Sequence, residues 1–148
     1  MKNKDKYRAV EAMLYNYENL KIEIKNIELD IEELQNDYRG CGAIQYMEKT
    51  GATNKITSSV ESEVEFKEKQ IKHLNNLKRS KEIQMNKIDN ILEGNALIES
   101  EKLIIRYRYF KKLQFKQMAE ILNTDPNYLC DLKSKIIIKI IPLIFTNE

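Results

Sequence analysis

At 148 residues the chain suits one or two small domains, and its 32% charged and 8% aromatic residues, with 4 glycines, 2 prolines and no tryptophan, argue for long helices and against a sheet-rich fold. The formal net charge of +2 hides an asymmetry: residues 1–101 hold 16 basic and 19 acidic side chains, whereas residues 102–139 hold nine basic and three acidic ones. A polyanion would be met by that basic stretch, and no apolar run is long enough to span a membrane.

The opening, MKNKDKYRAVEAML, has acidic residues close behind its lysines and no apolar core, so no export signal is expected. From Lys4 to Tyr38, apolar side chains fall at Val10, Met13, Tyr17, Leu20, Ile24, Ile27, Ile31, Leu34 and Tyr38. The steps alternate between three and four, a heptad seam that predicts a coiled-coil helix. Intervening Glu and Lys keep its other face wet.

A connection, 39–58, comes next and holds Gly40, Gly42 and Gly51. Gly40 is placed to end the first helix in a left-handed cap. The connection is longer than a helical hairpin needs. It reads either as a mobile loop or as a partner surface built on Ile44, Tyr46, Thr53 and Asn54.

A second helix is expected from about Ser59 to Leu92, capped by Ser58 or Ser59. Its seam runs Val60, Val64, Lys67, Ile71, Leu74, Lys78, Lys81, Met85, Ile88, Leu92. Three lysines interrupt it, and their stems can lie on apolar surface while the charged heads reach water. The two helices predict a long antiparallel hairpin, a domain of residues 1–93. Glu93-Gly94-Asn95 breaks the second helix and marks the boundary.

The texture changes in the second domain, 96–148. ALIESEKLIIRYRYF predicts an amphipathic helix with Leu97, Ile98, Leu103, Ile104, Tyr107 and Phe110 as its apolar residues. After the polar turn KKLQ comes a short helix, FKQMAEIL, with Phe115, Met118, Ala119 and Leu122 on one face. In NTDP, Asn123 suits a left-handed turn, Asp125 an N-cap and Pro126 a first helical position. The last helix turns Leu129, Leu132, Ile136 and Ile140 inward. Ala119 is small enough for two helices to cross closely. The pattern is that of a helix-turn-helix, whose second helix enters the major groove of DNA. The apolar tail IIIKIIPLIF must be covered, either by the helix from Leu97 to Phe110 or by a second copy.

EKLIIRYRYFKKLQFKQMAEILNTDPNYLCDLKSK resembles region 4 of sigma-70-type factors. The resemblance rests on Arg108-Tyr109-Phe110, Met118-Ala119, Leu122, Asp125 in the place of a capping Ser, and Leu129 in the place of a buried Val. Lys135 falls near a basic position of that family. Asn123 replaces the usual turn glycine, and Cys130 and Asp131 stand where many relatives are polar or basic. The layout, a long helical part before such a module, resembles phage regulators of the ArpU/RinA late-transcription type. Projected onto this chain, the groove-facing candidates are Asn127, Tyr128, Asp131 and Ser134 or Lys135. Lys111, Lys112, Lys116 and Gln117 are the candidates to hold phosphates.

No catalytic set is legible. His73 lies in a lysine-rich helix and reads as a surface residue. Cys41 and Cys130 are far apart and make no metal-ligand spacing, which fits free thiols in a reducing cytoplasm. No cofactor is expected. The sequence therefore points to an all-α, non-enzymatic, cytoplasmic DNA-binding transcription regulator. Its partners are double-stranded DNA and, through the hairpin, a second copy or RNA polymerase. The alternative is a helical DNA-packaging protein of the small-terminase kind.

Overall fold

The computed structural model describes residues 2–41 and 56–147, without the side chains of 38–41 and 56–60. The chain is all-α. The described residues form α1 (Asn3–Tyr15), α2 (Tyr17–Cys41), α3 (Ile56–Glu93), α4 (Glu99–Ile105), α5 (Phe115–Leu122) and α6 (Pro126–Ile144). A π-helical turn, Arg106–Phe110, prolongs α4. No strand occurs among these residues, and none of their helices is long and apolar enough to cross a membrane.

Contacts divide the chain into two compact units, one of residues 22–81 and one combining 1–21 with 82–148. In the first, α2 and α3 run antiparallel. Glu23 pairs with Lys81 at 2.5 Å and Glu28 with Lys78 at 2.7 Å, so numbers rise on one helix as they fall on the other. The expected seam faces inward: Ile24 and Ile27 are buried, and Ile31, Leu34, Val64, Ile71 and Leu74 are half-buried. The interrupting lysines reach carboxylates from partly covered stems, Lys67 doing so along its own helix to Glu63 at 3.7 Å. Such pairs contribute about 0–1 kcal/mol each, so the apolar seam does most of the holding. His73 is exposed.

Two expected caps fall elsewhere. Gly40 lies inside α2, which continues to Cys41, and Ser58 and Ser59 lie inside α3, which starts at Ile56. The proposed contact surface of Ile44, Tyr46, Thr53 and Asn54 lies outside the described residues.

The second unit is built around α6. Its Leu129, Ile136, Ile137, Ile140 and Ile144 are buried with Val10 and Leu14 of α1, Ile88 and Ile91 of α3, and Leu97, Ile104 and Ile105 around α4. The apolar tail is thus largely covered from within the chain. Lys87 of α3 donates to the carbonyl of Ile144 at 3.1 Å. α3 ends at Glu93 as expected, and at Gly94 a Cβ would come within 2.8 Å of the Asn90 carbonyl oxygen, which explains the glycine. Residues 1–21 and 82–93, read from the sequence as hairpin, belong to the same compact unit as the C-terminal helices. The physical reason is the α6 isoleucine face, which α4 and α5 are too short to cover alone.

The first seam does not run through one unbroken helix. Asn16, at φ −90° and ψ −2°, separates α1 from α2. Its side-chain oxygen accepts from Asn19 Nδ2 at 3.2 Å, the local competition with helix that asparagine favours. Hydrogen bonds from Asn16 N–H to the Ala12 carbonyl and from Leu20 N–H to the Asn16 carbonyl carry the chain across.

The π turn also alters the expected face of the next helix. Lys111 N–H bonds the Arg106 carbonyl, five residues back. One extra residue in a turn rotates the side chains beyond it by about 100°. Tyr109, in this turn, is buried while Tyr107 is half-buried; independently of the turn, Ile98, before the helix, is exposed.

Neighbouring residues on α6 give a contrast: Ile137 is fully buried and Ile138 is 61% exposed. Ile137→Ala is expected to lower unfolding stability by about 2–5 kcal/mol, and Ile138→Ala by less than about 0.5 kcal/mol, in urea denaturation.

Candidate nucleic-acid interface

α5 begins after Gln114, whose N–H donates to the Gln117 side-chain oxygen at 2.9 Å. Met118 and Ala119 are buried, and the helix ends where Asn123 turns left-handed at φ 50° and ψ 47°. The N–H groups of Asn123 and Thr124 both reach the Ala119 carbonyl. Two residues later Asp125 caps α6, its side chain accepting the Asn127 N–H at 2.9 Å, and Pro126 opens the helix. Asn123, Asp125 and Pro126 thus take the conformations their residue types favour.

Once capped, α6 has two unlike faces. Leu129 and Ile136 point into the core, while Asn127, Tyr128, Asp131 and Lys135 are exposed. At about 100° per residue these four share one side of the helix. Ser134 sits at its edge, half-buried, accepting from the Tyr7 hydroxyl at 3.3 Å and donating to the Cys130 carbonyl at 3.1 Å. Of the phosphate candidates, Lys111, Lys112, Lys116 and Gln117 are all exposed, although the Gln117 oxygen is engaged at the start of α5. Lys112 takes a positive φ of 55°, and its ammonium lies 4.6 Å from the centroid of the Tyr15 ring. The Lys111 ammonium lies 5.0 Å from that of Tyr107.

Internal pairing consumes part of the basic excess. Lys102 pairs with Glu99 at 3.0 Å, Lys133 with Glu11 at 2.8 Å and Lys139 with Glu101 at 2.5 Å. Arg108 donates to the Leu113 carbonyl at 3.0 Å and lies over the Phe115 ring. Arg106, Lys111, Lys112, Lys116 and Lys135 stay exposed. Stacking on an aromatic ring orients a cation without neutralising it.

The open face is held in place by a network that local sequence did not reveal. Glu11 accepts from Lys133 and from the Tyr109 hydroxyl, both at 2.8 Å, and Lys133 also reaches the Tyr7 hydroxyl at 3.1 Å. Burial pushes the Glu11 carboxyl up, but the bonds from Lys133 and Tyr109 outweigh it and hold the group below its ordinary value. Burial likewise works against the Lys133 charge, yet Glu11 and Tyr7 raise its pKa. Burial first, and then the bond to Glu11, push the Tyr109 phenol well above its ordinary range. These partners are about 100 or more residues apart, so only glutamate, lysine and tyrosine at helix-face positions hinted at them.

Compared with known proteins, the chain matches no family model, no curated protein and no solved structure.

A carboxylate held below its ordinary 4.5 adds stability above that value and loses it as pH falls through the lowered pKa. A lysine held above its ordinary 10.5 adds stability below that value and loses it as pH rises through the raised pKa. Glu11→Gln should therefore cost about 1–3 kcal/mol at pH 7, and the gap to the parent protein should narrow as pH falls below 4.5 and close as it passes through the lowered pKa, in pH-resolved urea denaturation.

Proposed function

We propose that the chain is a sequence-specific, double-stranded-DNA-binding transcription regulator. In this reading α5, the Asn123–Asp125 turn and α6 act as a helix-turn-helix. The observation that carries it is the two-faced start of α6: a capped helix whose inner side is buried and whose outer side presents Asn127, Tyr128, Asp131 and Lys135. A major groove about 12 Å wide admits a helix about 10–12 Å across, so one free side is what groove entry requires. Asparagine can bond an adenine edge, and aspartate can accept from a cytosine amino group. Lys111, Lys112 and Lys116 supply positive charge for phosphates beside the groove.

The resemblance to sigma region 4 and to phage late-transcription regulators fits this role. The antiparallel α2–α3 arm is then the part that meets a second copy or RNA polymerase, and the chemistry is binding, not catalysis, in the cytoplasm. Recovery of genomic fragments at moderate salt tests the proposal: enrichment of discrete sites supports it, and uniform recovery by a many-membered ring favours DNA packaging instead. Lys116→Ala and Lys135→Ala are each expected to flatten the slope of log affinity against log salt by about 0.9. Asn127→Ala should relax preference at one base pair by about 1–3 kcal/mol, measured by competition among point-changed duplexes.

A further inference from the structure

Lys4, Arg8 and Tyr15 succeed one another at i, i+4 and i+11 along α1, so they lie on one stripe, and all three are exposed. The adjoining stripe, Tyr7 and Glu11, is the one that binds α6 through Ser134 and Lys133. At one end Lys4 lines a pocket with Asn3 and Tyr7, whose opposite wall is Ile138 and Ile141 of α6. At the other end the Lys112 ammonium rests over the Tyr15 ring. Lys4, Arg8 and, over Tyr15, Lys112 therefore form a band about 17 Å long on α1, beside the stripe that binds α6, from the rise of 1.5 Å per residue. Among the described residues no ion pair occupies Lys4 or Arg8. On α1 the acidic residues are Asp5, three residues before Arg8 on the adjoining stripe but forming no ion pair with it, and Glu11, already engaged by Lys133; Asp131 is the acidic residue on the outer side of α6.

We infer that α1 belongs to the nucleic-acid interface, with Lys4 and Arg8 joining Lys112 to hold the phosphate backbone along one edge of the groove that α6 enters. This rests on the reading of α6 as the groove helix. The partner is duplex DNA, since the narrow major groove of A-form RNA does not admit a helix. Charge along the band is matched by a phosphate row. The N-terminal helix, assigned from sequence to a hairpin for protein partners, becomes part of the DNA clamp.

The test is a salt titration of the full chain on a mixed-sequence DNA duplex, read by fluorescence anisotropy. The double variant Lys4→Ala/Arg8→Ala should reduce the log–log slope by about 1–2 and weaken binding at 0.1 M salt by about tenfold or more. Lys25→Ala/Lys69→Ala, two exposed lysines of the 22–81 unit, should leave the slope unchanged. A Lys4→Ala/Arg8→Ala slope equal to that of the parent, while Lys116→Ala flattens it, overturns the role of α1 and leaves the α6 reading standing. Failure of the parent protein to bind DNA at low salt overturns both. Tighter binding to a double-stranded RNA of the same length overturns the choice of partner.

Discussion

Burial of the isoleucine side of α6 is the constraint on which the C-terminal structure depends. Four isoleucines, Ile136, Ile137, Ile140 and Ile144, are nearly or fully removed from water along one helix. Each contributes roughly 1.5–3 kcal/mol when fully covered, so the four together outweigh any single polar contact nearby. Short α4 and α5 cannot supply that cover alone, and α1 and the end of α3 complete it. The cover stops before the outer side of the first turns, where Asn127, Tyr128, Asp131 and Lys135 meet water. One packing solution thus decides both what holds α6 and what α6 can offer.

Electrostatics refine that arrangement. A charge withdrawn from water must be paired, and Lys133 is paired with Glu11, the Tyr7 hydroxyl accepting from Lys133 and the Tyr109 hydroxyl donating to Glu11. Together with Tyr7 and Ser134 this fixes how α1 lies against α6. Cations outside the covered zone have no such duty. Lys116 and Lys135 stand in water, and Lys111 and Lys112 are exposed with their ammonium groups over tyrosine rings. The basic excess of the C-terminal stretch therefore divides into a paired structural set and an exposed set.

How much was legible in the sequence depends on the range of each signal. Heptad spacing acts over three or four residues, and the seam positions from Ile24 to Leu34 and from Val64 to Leu74 do face inward. The turn was equally readable, because Asn123, Asp125 and Pro126 each act within two or three residues of themselves. Features set by distant partners were not. Nothing near Glu11 announces Tyr109 or Lys133, and nothing in the N-terminal seam says that Val10 and Leu14 are buried with α6. The π turn escaped for a different reason: RYRYF is compatible with an ordinary helix, and nothing in its local sequence marks the wide turn that accompanies the burial of Tyr109. Among the candidate interface residues, Ser134 shows the same limit, since its engagement depends on Tyr7, 127 residues away.

The most direct measurement is a backbone NMR titration of the isotope-labelled full chain with a DNA duplex. Amide shifts should change and saturate within 111–117 and 127–135, with the amides of 61–81 unmoved. Saturating changes confined to the antiparallel α2–α3 arm, or none at any ratio of duplex to protein, would contradict the assignment of the outer face of α6 to the groove.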